Sequence, residues 1–184
     1  MTISDNKSNR RPYMSDTLNR LNKLSGYAGL FAKIVMMLLI IAVIGGCVLL
    51  ALTFADPDLI IDNVPEATSI GYAQATALNI ITGAAVLFPI MYFINRFFMN
   101  IHKSNVVFTY TNVRDLRTVA LLIVVLAVVM TVVVSLTTYF LLNAEDIVVG
   151  FSPLTMLLTA FIVYVLSLIF SHGADLQRES DETL

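Results

Sequence analysis

The residues able to do chemistry in this chain are few and scattered. The two histidines, His102 and His172, could move a proton near neutral pH. His172 precedes Asp175 and Glu179, a set that superficially suggests a metal site. One histidine with two acids falls short of a cluster, and a histidine near a helix end is the preferred reading. Cys47 is the single cysteine and lies in an apolar run. It can form no intrachain disulfide, its spacing excludes a zinc cluster, and it reads as a small packing residue. General acid–base or nucleophilic catalysis needs activated groups held close together, and no nucleophile accompanies these histidines. A glycine-rich phosphate loop is also absent. The expectation is a protein that is not an enzyme and carries no cofactor or metal.

The elements that must position any site are apolar. Of 184 residues, 58% are hydrophobic and 13% charged, and the mean hydropathy is +0.83. A soluble domain carries roughly a quarter charged residues, so the composition fits hydrocarbon as the solvent. Uncharged runs extend over residues 34–55, 67–95, 118–144 and 147–171. Each is long enough for a helix to cross a bilayer, which takes about 20 residues. None alternates with the period of two that a barrel strand requires. The expected fold is all-α, an integral membrane four-helix bundle with spans at about 30–54, 72–98, 117–142 and 150–172. Thr53-Phe54-Ala55 loosely resembles a signal cleavage site, but the preceding run is longer than the ~7–15 residues of a signal core.

Charge orients the bundle. The four-span arrangement puts all 11 Lys and Arg on one side: six before the first span, then Arg96, Lys103, Arg114, Arg117 and Arg178. The opposite connections hold Asp56, Asp58, Asp62 and Glu66, and then Glu145 and Asp146, with no base. By the positive-inside rule both termini are expected in the cytoplasm, with the chain in the cell inner membrane. Residues 1–16 are polar and are expected to be a disordered cytoplasmic N-terminus. Residues 17–184 form the four-span domain, ending in a short cytoplasmic tail over 173–184. From Thr17 to Lys33, Leu18, Leu21 and Leu24 recur among bases, as in an amphipathic lead-in on the inner leaflet. These bases read as topology signals, and no direct nucleic-acid binding is expected.

Within the spans the polar residues are hydroxyls and amides. Ser and Thr can bond their own helix or a neighbour. Gln74 and Asn79 in the second span either bond between helices or line a small polar cavity. Ala42-x-x-x-Gly46 and Gly83-Ala84-Ala85 remove bulk where helices could approach closely. Pro89 should bend the second span.

On the basic side, the second span runs on through Phe97–Ile101 and turns near Lys103-Ser104-Asn105. Thr109 is a good N-cap for the third span, and Asn112 could reach back towards the turn. The tail continues the fourth span, with Gly173 a weak point. Its Asp175 and Glu179 could pair with Lys103, Arg114 and Arg117 at about 0–1 kcal/mol each.

These two basic-side segments carry a resemblance. Asn100-Ile101, Phe108-Thr109, Asn112-Val113 and Leu116-Arg117 resemble the "N-I … F-T-x-x-N-V-x-x-L-R" connection of a bacterial family of four-helix membrane proteins, the YoaS-like, DUF2975-type family. Gly173, Leu176-Gln177, Glu179, Asp181 and Thr183-Leu184 resemble its "G-x-x-L-Q-x-E-x-D-x-T-L" ending. The resemblance extends over roughly Leu24 to Leu184. His102-Lys103-Ser104-Asn105 departs from the family's Gly-containing turn. Members are often encoded beside a small Cro/C1-type helix-turn-helix regulator, which implies a membrane partner or sensor for such a protein. The alternative is a small transporter or channel for a neutral solute, perhaps built by an oligomer. The absence of intramembrane charge argues against ion coupling there.

Overall fold

The computed structural model describes residues 11–63, 69–104, 106–141 and 152–182. Among these, five helices account for the regular structure: α1 (Arg11–Ala55), α2 (Pro57–Asn63), α3 (Ile70–Ser104), α4 (Tyr110–Leu141) and α5 (Pro153–Glu182). The four longer ones are each apolar and long enough to cross a membrane, and the protein is a multi-pass all-α membrane protein. α1 begins at Arg11, inside the stretch expected to be disordered. Residues 1–10 of that stretch lie outside the described residues, as do Glu66, Glu145 and Asp146.

Local chemistry explains where the helices start. Asp56 caps α2, its Oδ1 accepting the Leu59 N–H at 3.3 Å, and Pro57 takes the first helical position. Ser69 caps α3 by accepting the Tyr72 N–H at 3.1 Å. Thr109 caps α4 through the Asn112 N–H at 3.3 Å, as its sequence position predicts. Pro153 opens α5. α3 runs through Pro89 without a break. The hydroxyls of Thr131, Ser135, Thr138 and Thr159 each donate to the carbonyl four residues earlier. They therefore serve their own helices, not the contacts between helices.

Consecutive long helices run antiparallel. The backbones of α1 and α3, α3 and α4, and α4 and α5 lie at packing distance. In the interior, Ile90 of α3 meets Val119 and Leu126 of α4, with Met156 and Val163 of α5 against them. α1 lies on the flank of this group and packs on α3 alone among the long helices. Gly46 makes that approach close: a Cβ there would sit 2.8 Å from Ile81 Cγ1. In the other small motif Ala84 is buried, Gly83 touches Met130 and Ala85 is exposed. Cys47 is also exposed, so it does not pack inside the protein. Where α3 begins and α4 ends, Gly71 lies against the Leu141 backbone and no side chain could fit between them. Gln74 and Asn79 are half-buried on α3, and the Asn79 Oδ1 is enclosed without a hydrogen bond.

Candidate functional site

The start of α1, the end of α3, the start of α4 and the end of α5 converge at the basic end of the molecule. There the connection between α3 and α4 is built by short-range bonds. Ser104 Oγ donates to the Asn100 carbonyl at 2.7 Å and accepts the Val106 N–H at 3.2 Å, which turns the chain out of α3. From the first turn of α4, Asn112 Nδ2 donates back to the Val107 carbonyl, five residues earlier, at 2.8 Å. With the Thr109 cap, these bonds hold residues 106–109 in one conformation. His102 ties on α1: its Nδ1 lies 2.9 Å from the Asn22 carbonyl, so that nitrogen carries the proton in this contact.

The held loop throws Phe108 onto α5. Its ring lies 5.2 Å from Phe170, which in turn lies 5.7 Å from Phe97 of α3. Gly173 is the seat for Phe108: a Cβ there would stand 2.6 Å from the ring. Gly173 is therefore not a weak point. α5 passes through it unbroken, and the missing side chain makes room for the loop. Beside it, Tyr110 donates its hydroxyl to Asp175 at 2.6 Å. Asp175 thus pairs with a phenol and not with the expected bases, and Arg178 bonds Glu182 one turn along at 2.9 Å. Between loop and tail lies an open cleft of about 360 Å³, lined by Val106, Phe108, Thr109 and Tyr110 from the loop and the start of α4, and by Ala174, Gln177 and Arg178 from α5.

Of the residues the motifs single out, Phe108, Thr109 and Gln177 line this cleft, Gly173 lies against Phe108, and Asn100 and Asn112 bond the connection that carries it. Leu116 is half-buried in α4, while Leu176 and Glu179 are exposed on α5. Asp181 falls in the last turn of α5, its side chain outside the described residues, as are Thr183 and Leu184. Arg117 stands apart, on a groove between α4 and α5 on the outer surface.

One feature of this end escapes motif reasoning. Asp115 is fully buried, and Arg96 Nη2 approaches its Oδ1 to 2.8 Å. The approach is an ion contact and lacks hydrogen-bond alignment, so both carboxylate oxygens are without a hydrogen bond. Arg96 also lies 5.5 Å from the Phe93 ring centroid. Asn112, one turn before Asp115, is buried just as fully. An isolated buried carboxylate costs several kcal/mol, and Arg96 of α3 offsets part of that cost for Asp115 of α4. The available signal was Asp115 itself, the one acid among the four bases of its connection. Among the described residues, no group of three His, Cys, Asp or Glu could hold a metal.

A family model described as a protein of unknown function, DUF2975, matches residues 60–184. It thus spans α3, α4 and α5 and most of α2, and begins after α1. No curated protein and no solved structure matches the chain.

Proposed function

The chain belongs to the DUF2975 family, and on that premise we propose that it is a non-enzymatic inner-membrane partner for a small cytoplasmic helix-turn-helix regulator, with both termini in the cytoplasm. The observation that carries this reading is the convergence of two segments some 65 residues apart, joined by the bond from Tyr110 to Asp175, on one open cleft. Both segments lie at the basic end, which the positive-inside rule assigns to the cytoplasm. A cleft lined by the apolar Val106, Phe108 and Ala174 together with Gln177 and Arg178 suits an apolar side chain of a partner flanked by an acid.

Two measurements test it. Reporters fused after residue 62 and after residue 182 should read outside and inside the cell, respectively. The full-length chain, purified in detergent, should bind the helix-turn-helix protein encoded beside its gene, and Arg178→Glu should weaken that binding about tenfold or more, a loss of about 1.4 kcal/mol. Binding that ignores Arg178→Glu and Gly173→Leu alike would remove the cleft from the interaction. No binding at all would remove the proposed partner.

A further inference from the structure

The outer surface of α4 and α5 carries a long apolar groove. Its first part, about 360 Å³, is walled by Ala120, Leu121, Leu157, Phe161 and Tyr164, with Arg117 at its basic end. A second part of about 210 Å³ continues it past Leu157, which both share, to Val132 and Pro153. Small side chains open it: Ala120, Ala127 and Ala160 are buried at its floor, while Leu121, Val128 and Phe161 stand exposed along its rims. From Arg117 to Val132 the groove follows α4 for about 22 Å, at ~1.5 Å per residue. One leaflet of hydrocarbon is about 15 Å deep, half of a ~30 Å core. The groove therefore reaches from the headgroup level on the basic side across that whole leaflet and about 7 Å past the bilayer midplane. No acid lines either part.

We infer that this groove binds an anionic phospholipid of the leaflet on the basic side, with its phosphate on Arg117 and one acyl chain between α4 and α5. Charge complementarity selects the occupant. A guanidinium at the mouth of an apolar channel matches a phosphate at the head of an alkyl chain. A zwitterionic lipid brings its own cation to the same place and gains less. The site is separate from the cleft at residues 106–110 and does not depend on the proposed regulator.

The chain has no tryptophan, which makes occupancy readable. A Leu121→Trp reporter in the full-length chain, reconstituted in mixed vesicles, is quenched by lipids brominated on their acyl chains. Brominated phosphatidylglycerol should quench it about fivefold more effectively, per lipid, than brominated phosphatidylcholine, the preference expected from one basic residue near the surface. Adding Arg117→Gln should bring the two lipids to parity, and Arg117→Lys should keep most of the preference. A Val48→Trp reporter on the exposed face of α1 should show parity throughout and serves as the folded control. Parity at position 121 with Arg117 intact, or a preference that survives Arg117→Gln, would overturn the inference. Quenching by neither lipid would overturn it too, in favour of a second copy of the chain lying in the groove.

Discussion

α1 and α4 are almost equally hydrophobic, but they live in different surroundings. In the most apolar stretch of α4, 22% of residues are buried within the protein, against 6% in α1. α4 is held on two sides, by α3 and α5, and carries the buried Asn112, Asp115 and Thr137. α1 touches α3 through small residues and exposes Leu38, Ile41, Ile44 and Val48. Hydropathy measures transfer into hydrocarbon, and both helices satisfy it. Between helices in lipid there is no further hydrophobic gain, so association depends on close packing and polar contacts. α4 has both kinds of contact, and α1 has chiefly the first.

The comparison can be broken most severely at the polar layer. Asp115→Ala leaves the Arg96 guanidinium without its partner, and its stability in detergent should fall by about 3 kcal/mol, at the low end for a buried pair because Arg96 is partly exposed. Replacing both residues, as Arg96→Met with Asp115→Leu, should recover most of that loss. If the single substitution is harmless in thermal unfolding, the layer does not hold α3 to α4.

Next in size is Gly173→Leu, which drives a side chain into Phe108 and should cost about 1–3 kcal/mol by overpacking. Its signature is local: protease should cut the connection at residues 106–109 before α5 is released. Gly46→Leu sharpens the contrast from the other side. It meets Ile81 and the Ala77 carbonyl, and should loosen α1 while α3, α4 and α5 stay together. Crosslinking between cysteines placed at positions 29 and 99, where α1 and α3 touch, would report that loss. A chain that unfolds as one unit would show α1 to be as integral as α4.

Smaller effects follow. Thr109→Ala removes the α4 cap and should cost about 1 kcal/mol. Ile41→Leu on the exposed face of α1 should change stability by less than about 0.5 kcal/mol. A larger loss there would mean that something other than lipid covers that face.

The site was legible in parts, for identifiable reasons. Thr109 and Asn112 act within a few residues of themselves, so their spacing was enough to expect the cap and the back-bond to the turn. The Phe108 and Gly173 motifs could be recognised, but their contact joins segments some 65 residues apart, and Gly173 alone reads as a flexible point. Asp175 was expected to seek a base because charges are easy to pair on paper. The fold put the Tyr110 hydroxyl within reach instead. Arg117 was grouped with the cap by its motif, although helical rotation carries it to the outer groove.

What the sequence determined by itself was the crossing of the membrane and the segregation of charge. Four uncharged runs and one-sided bases are properties of residues taken singly, each with its own cost of leaving water. Tertiary structure alone decided that α1 flanks the others, that Cys47 faces outward, and that Asp115 is buried against Arg96. Those outcomes depend on which faces of the helices meet. In a hydrocarbon solvent every apolar face is equally content, so only shape and paired polar groups can choose among them.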